Sequence, residues 1–431
     1  MNTLLSNKKI ALSPNSFWFE RKRFQIVLGL ITSLVIPFII IKIIFPNTIF
    51  ADSQIQISLL SSGSAFLIGW AIFQNTINFP GVNRVQQIAP LLVLSYIVVA
   101  SVLFFLRLEF SRVIYVTSFV CTLVGFLFVF YSIQKRKTLV FQVVPFGNVS
   151  RLNRINQAYW IKMSSPDLPK QNCTAIVADM RADMPDDWKR MLAEAALSGR
   201  PVFHFKQLEE ALTGHVDIEH ISENSLGALY PNSSATEFKK MVDVLVSILV
   251  LPPLLPLMIF VAIAIKLESP GSVIFRQKRI GQYGKPFFVF KFRSMFTDIN
   301  QIDNERQSAI TQDNDARITR VGMVIRRLRI DELPQLFNIL RGEMSWVGPR
   351  PEAFHLSAWY HSEIPFYSYR HILKPGITGW AQINQGHVAD LEAVHDKLKL
   401  DFYYIKHFSI WLDIVILMRT AYIVVTGFGA R

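Results

Sequence analysis

The run Lys239–Lys266, KKMVDVLVSILVLPPLLPLMIFVAIAIK, decides the topology of this chain. Its apolar part, 244–265, is about 22 residues, or ~33 Å if helical, long enough to cross a bilayer. Lys239 and Lys240 precede it; Lys266, Arg276, Lys278 and Arg279 follow it. Both flanks therefore belong on the cytoplasmic side. Pro252, Pro253 and Pro256 stand in its middle, where proline breaks or kinks a helix. A run basic at both ends and broken in the middle dips into the membrane and returns. A fifth crossing would carry the basic C-terminal third outside, against the charge rule. The expectation is a re-entrant helix hairpin over 244–265.

Upstream lie four apolar stretches, Phe24–Ile44, Ile57–Phe73, Ile88–Leu106 and Val113–Ile133. Each is roughly 17–21 residues, a spanning length. Lys8, Lys9, Arg21, Lys22 and Arg23 precede the first, and Lys135, Arg136 and Lys137 follow the fourth. The loop near Asn47–Gln56 has no Lys or Arg, so the N-terminus and residue 134 are expected in the cytoplasm. Arg107 and Arg112 run mildly against the rule. The first run is too long for a signal-peptide core, and no small-residue cleavage pattern follows it. Residues 1–137 thus read as a four-helix transmembrane bundle in a multi-pass protein.

Composition agrees. Of 431 residues, 51% are hydrophobic and only 18% charged, yet the net charge is +13. An ordinary soluble enzyme of this size is less apolar. A basic balance on an apolar chain favours an anionic membrane surface and phosphorylated substrates. No zinc-finger, helix-turn-helix or RNA-binding motif supports a nucleic-acid partner. The two cysteines, Cys121 and Cys173, form neither a disulfide framework nor a metal spacing, which fits a reducing cytoplasmic face.

Residues 138–233 read as a soluble, Rossmann-like α/β domain. VFQVVPF, TAIVADM and PVFHF are expected strands. DWKRMLAEAALSG and FKQLEEALTG are expected helices ending at Gly199 and Gly214. The segment around Gly147 lacks G-x-G-x-x-G, so nucleotide binding there has no support, and a structural or dimer-forming role is expected. Residues 234–431 then form a cytoplasmic, membrane-apposed catalytic domain, giving a membrane α+β chain overall. Within it, FSIWLDIVILMRTAYIVV at 408–425 is interrupted by Asp413 and Arg419. It suits an interfacial helix or a buried core helix, and both readings stay open.

The chemistry concentrates in Arg326–Pro351, RRLRIDELPQLFNILRGEMSWVGPRP. Asp331 and Glu332 sit among Arg326, Arg327, Arg329, Arg341 and Arg350. Acids able to hold a metal or attack phosphorus, ringed by cations, suit an anionic phosphorylated substrate. Pro334 suggests a helix start with Asp331 near its N-cap. Phe275–Met295, FRQKRIGQYGKPFFVFKFRSM, adds Arg276, Lys278, Arg279, Lys291 and Arg293, cations that can hold a diphosphate or rest on lipid headgroups. From residues alone the dyad could be a phosphatase site, a metal site or a solvated helix start. His371, His387 and His395 lack metal-ligand spacing and read as polar or interfacial. Trp346, Trp380 and Trp411 read as interface anchors or core.

SPGSVIFRQKRIGQYGKPFFVFKFRSM, DNDARITRVGMVIRRLRIDELPQLFNILRGEMSWVGPRPE and RHILKPGITGWAQINQG closely resemble the bacterial sugar transferase family, the monotopic polyprenol-phosphate phosphoglycosyl transferases. The resemblance runs from about Phe238 to the C-terminus. The spans and insert resemble the family's large members, which initiate exopolysaccharide or O-antigen synthesis at the bacterial inner membrane. It implies transfer of a phosphosugar from a UDP-sugar to undecaprenyl phosphate, with release of UMP. It implies Asp331 as nucleophile, forming an aspartyl-phosphosugar, and Glu332 as the Mg²⁺ carboxylate. Lys291, Arg293 and Arg326 match phosphate-binding positions, and Pro349, Arg350 and Pro351 a nucleotide-linked segment. Pro256 aligns with the family's hairpin break, although Leu255 stands where serine is common. Glu343 and Gln385 are further departures, the latter near positions that could touch sugar choice. A homodimer is a family-level expectation. Two other functions remain in view: a membrane-anchored nucleotide-sugar dehydratase or epimerase, whose glycine-rich fingerprint and Tyr-x-x-x-Lys are missing from the insert, and a non-catalytic scaffold for polysaccharide assembly.

Overall fold

A computed structural model describes residues 21–44, 52–76, 84–134, 139–156, 158–168, 174–217, 233–296, 317–385 and 391–426. Lys8, Lys9, Lys135, Arg136, Lys137, Cys173 and His387 lie outside them. The chain divides into two compact units, Met1–Thr213 and Gly214–Arg431. Among the described residues, five helices are long and apolar enough to cross a membrane: Lys22–Ile44, Ser53–Thr76, Ile88–Phe105, Arg112–Phe130 and Ser234–Glu268.

The first unit opens with α1 (Lys22–Leu30) and α2 (Ile36–Ile44), joined by a π-helical stretch, Ile31–Val35. Helices α3 (Asp52–Thr76), α4 (Arg84–Phe105) and α5 (Arg112–Gln134) pack beside them. Their contact faces carry small and hydroxyl residues, while Phe104, Phe105, Val124 and Phe128 point outward. Gly29 receives the Phe66 ring, which would lie 1.9 Å from a Cβ there. Ser118 donates to the Ser33 carbonyl at 2.7 Å, within the π stretch, and Tyr115 donates to the Tyr96 carbonyl at 2.8 Å. Small residues and buried hydroxyl bonds are how helices associate where lipid removes the hydrophobic drive.

The same unit holds a four-stranded parallel sheet of order β2-β1-β3-β4: β1 (Val140–Val143), β2 (Tyr159–Lys162), β3 (Ala175–Ala178) and β4 (Val202–His204). Helices α6 (Asp186–Leu197) and α7 (Phe205–Thr213) lie against it. Phe141, Val177, Leu152 and Phe205 fill one face; Ile176, Ala178, Trp188 and Met191 fill the other. Gly199 and Gly214 end the two helices at φ of +77° and +72°, as expected. Strand β2 was not expected. It is a largely exposed edge strand, so it lacks the apolar run that marks its neighbours.

The second unit is built on α8 (Ser233–Glu268), one uninterrupted helix that contains Pro252, Pro253 and Pro256. The expected break at Pro256, dividing a hairpin over 244–265 into two helices, does not appear. An interior proline removes its own amide donor and crowds the carbonyl four residues back, which bends a helix without having to end it, and packing holds the rest. Asp243, Ser247, Met258, Val261 and Ile265 are buried and Leu251 and Leu254 pack into the core, at helical spacing along one face. Leu245, Ile248, Leu249, Ile259, Phe260 and Ile263 form a bare apolar face opposite. The hairpin β5 (Ile274–Ile280) and β6 (Pro286–Phe292) follows, pairing Ile274 with Phe292 through Ile280 with Pro286. Next come α9 (Arg320–Arg327), α10 (Gln335–Leu340), β7 (Ser345–Val347) and α11 (Phe354–Glu363). The unit closes with β8 (Gly376–Thr378), α12 (Trp380–Asn384), α13 (Leu391–Lys406) and α14 (Ile410–Thr426). Strand β8 pairs in parallel with β7. Helix α14 buries Leu412, Val415 and Ile416 completely, so one face is core, while Ile410, Trp411 and Tyr422 stay exposed. Trp380 is core as well.

Candidate active site

Helix α9 starts on Thr319, whose hydroxyl accepts from the Gly322 amide at 2.8 Å, and ends at Arg327. Arg329 then takes a left-handed conformation, φ 57°, and reverses the chain into a 3₁₀ turn, Ile330–Glu332. Asp331 is therefore not the N-cap of α10; Pro334 occupies that position and neither acid caps the helix. The reversal at Arg329 turns both carboxylates inward instead, leaving Asp331 9% and Glu332 7% exposed.

The two acids meet different surroundings. Glu332 Oε1 accepts from Lys291 Nζ and from Arg350 Nη2, each at 3.0 Å, with Arg329 Nη1 at 3.9 Å. Burial opposes its ionisation, but Lys291 and Arg350 outweigh burial and hold it far below the usual glutamate range. Asp331 Oδ1 is buried without a hydrogen-bond partner. Burial, and then the neighbouring Glu332 charge, push the Asp331 carboxyl up; Lys291, Arg329 and Arg326 only partly counter this. Glu332 in turn raises Arg350, while burial lowers Lys291.

Lys291 reaches the dyad because β6 alternates. Phe287 and Val289, on the same face, are buried in the core. Arg293 continues that face but does not join the site, contrary to its expected phosphate role. Its Nη2 donates to the Ser269 carbonyl at 2.7 Å and hydroxyl at 2.8 Å, and its Nη1 to the Pro270 carbonyl at 2.8 Å. Just past the end of α8, backbone carbonyls turned outward attract a guanidinium. Arg326 sits close enough to Asp331 to lower its pKa.

Gly348–Glu352 is held almost entirely through its backbone. Gly348 N–H donates to Thr378 O at 2.9 Å, and Gly376 N–H donates to Pro349 O at 3.1 Å. Arg370 Nη2 donates to Arg350 O at 2.9 Å, and Arg279 donates to Pro351 O. A Cβ on Gly376 would lie 2.1 Å from the Gly348 nitrogen, so only glycine admits this contact. With its carbonyl tied down, Arg350 turns its guanidinium to Glu332. Behind the loop, Glu352 accepts from Lys397 and lies 3.7 Å from Arg370, which also bonds Asp401 at 2.8 Å. Burial opposes the Glu352 charge, but Lys397 and Arg370 prevail and hold it well below its ordinary range. Burial and Arg370 push His371 down to about 3, so it is neutral at physiological pH. Reading the sequence named Arg279 as a diphosphate-binding cation, not as the residue that holds this loop, and missed Glu352, Arg370, Lys397 and Asp401. Glu352 and Arg370 lie inside the quoted motifs, but no spacing pairs residues 31 or 45 positions apart.

Among the described residues, no cluster of three or more His, Cys, Asp or Glu side chains is placed to hold a metal ion. Mg²⁺ usually takes only one or two carboxylates and completes its shell with phosphates and water. Two adjacent buried carboxylates, Asp331 and Glu332, fit that donor set.

A buried acid pair among cations, on a chain with five described helices long and apolar enough to cross a membrane, suits chemistry on an anionic substrate at a membrane. The family model described as bacterial sugar transferase matches residues 234–427. Over 368 residues the chain is 42% identical to the UDP-N-acetylgalactosamine-undecaprenyl-phosphate N-acetylgalactosaminephosphotransferase of Aeromonas hydrophila, covering 85% of this chain and 86% of that protein. It is 50% identical over 187 residues to the undecaprenyl-phosphate glucose phosphotransferase of Komagataeibacter xylinus, covering 42% of this chain and 35% of that one. It is 42% identical over 187 residues to the exopolysaccharide production protein PSS of Rhizobium leguminosarum bv. phaseoli, covering 42% of this chain and 92% of that one. The chain belongs to the bacterial sugar transferase family.

Proposed function

We propose that this protein transfers a phosphosugar from a UDP-sugar to undecaprenyl phosphate, releasing UMP and opening a surface-polysaccharide pathway. The carrying observation is the division of the dyad: Glu332 is clamped by Lys291 and Arg350, while Asp331 Oδ1 has no partner. An unpartnered carboxylate oxygen is the better nucleophile. Asp331 attacks the phosphorus that bears the sugar. An O–P bond to aspartate forms, the diphosphate P–O bond breaks, and UMP leaves with the electron pair. A phosphate oxygen of undecaprenyl phosphate then attacks the same phosphorus. Asp331 is released as carboxylate and the lipid carries a diphosphate-linked sugar. Two steps at one residue suit one substrate from water and one from lipid.

Lys291, Arg350 and Arg326 are placed to stabilise charge on the phosphoryl oxygens. Glu332 is the carboxylate that would hold Mg²⁺, which would supply Lewis-acid stabilisation of the diphosphate, leaving Asp331 Oδ1 for the phosphorus. Both ends of α8 are tied to one domain: Lys239 to Asp413 near its start, and Glu268 to the Arg320 and Val321 amides at its end. This supports a helix that enters the bilayer without separating its ends across it, and with the basic flanks it favours a site on the cytoplasmic face of the inner membrane. The relative matched along most of its length makes UDP-N-acetylgalactosamine the first donor to try, with UDP-glucose next. Purified protein in nanodiscs with undecaprenyl phosphate and Mg²⁺ should release UMP from one donor of such a panel. Asp331→Asn should lower that rate by about 10⁴-fold or more. Full turnover in the variant would remove Asp331 as nucleophile.

A further inference from the structure

A second buried polar cluster lies on α8, away from the dyad. Lys239 Nζ donates to Asp413 Oδ2 at 2.5 Å and lies 3.7 Å from Asp243 Oδ1. Asp243 Oδ2 accepts from Ser345 Oγ at 2.6 Å. Trp346 Nε1 donates to Ser247 Oγ at 3.0 Å. The Tyr404 hydroxyl lies 2.7 Å from Asp413 Oδ1 and 3.1 Å from the Val347 carbonyl. Lys239, Asp243, Ser345, Tyr404 and Asp413 are all at most 9% exposed. Every tie from this cluster ends on Ser345, Trp346 or Val347, the whole of β7, or on a helix that holds it. Strand β7 runs directly into Gly348–Arg350.

We infer that Lys239, Asp243, Tyr404 and Asp413 are positioning residues that seat β7 on the membrane helix and so set Arg350 against Glu332. An apolar seam would hold α8 as firmly, since buried ion pairs rarely add net stability over well-packed apolar groups. Hydrogen bonds fix a strand's register along a helix where apolar contacts allow sliding. The Arg350 guanidinium must be placed to within a fraction of an ångström to serve a phosphoryl transfer, and a small misplacement is costly. The inference rests on the function proposed above for Arg350.

The test uses the full chain in nanodiscs. Asp413→Asn keeps size but removes the charge that pairs with Lys239, and it should lower UMP release by about 100-fold. In an Arg350→Lys background the same change should add little, because the group it positions is already gone. Amide hydrogen exchange across 345–352 should rise in Asp413→Asn. Losses that multiply with Arg350→Lys, or exchange unchanged from wild type, would overturn the inference. Should Asp413→Asn fail to fold, Ser345→Ala removes one bond and no charge and is judged by the same two readouts. Exchange is read without turnover, so a wild-type protein that released no UMP would sink the proposed function while the seating of β7 was still decided.

Discussion

At the scale of single residues, two adjacent acids are not equivalent. Glu332 pairs with both Lys291 and Arg350, and Asp331 is left buried and bare. Replacing Glu332 by Gln leaves those two cations without their counter-charge, and should cost about 3 kcal/mol of stability in a chemical melt. Asp331→Asn should cost far less stability while losing turnover, which separates the two roles. Glu352 gives a pH signature. Its folded pKa is depressed, so its pairing with Lys397 and Arg370 stabilises the protein above the ordinary glutamate range. That stability is lost as pH falls through roughly 4 towards the folded value. The melting temperature of wild type should therefore carry this contribution unchanged down to about pH 5 and lose it as pH falls below about 4, and Glu352→Gln should flatten that acid-side drop. The adjacency of Asp331 and Glu332 was legible in the sequence. Their inward turn was not, because it depends on Arg329 adopting a left-handed φ that non-glycine residues seldom take.

At the scale of elements, helix α8 shows how pattern reading fails in an instructive way. Its flanking charges and three prolines marked it as unlike a plain span, yet the helix continues through them. Proline removes donors but leaves the apolar face intact, and that face packs on β6 and α10 through Leu251, Leu254 and Met258. With its ends fastened to one domain, cysteines placed at Glu237 and Lys285 should be labelled from the same side of sealed vesicles. The background for this would lack Cys121 and Cys173. Labelling from opposite sides would mean that α8 crosses. Helix α14 resolves similarly. Asp413 breaks its apolar run because it answers Lys239, which lies 174 positions earlier. Arg293 is the converse case: the right residue in the right motif, drawn away by the end of α8.

For the whole molecule, the residues to which the proposed function assigns the chemistry all belong to the second unit, Gly214–Arg431. Residues 233–431 expressed alone should therefore keep UMP release within about tenfold of the full chain; complete loss would give the first unit a direct part in the reaction. Sequence by itself determined the apolar spans, the small parallel sheet and the position of the dyad. Those features are written in local quantities: hydropathy over a window, glycine at helix ends, and cations crowded near two acids. Only tertiary structure decided which acid is bare, that Arg279 and Arg370 hold the Arg350 loop, and that Lys239 answers Asp413. A buried charge is tolerable only beside its partner, and that partner is chosen by how distant segments meet in space rather than by how they follow one another along the chain.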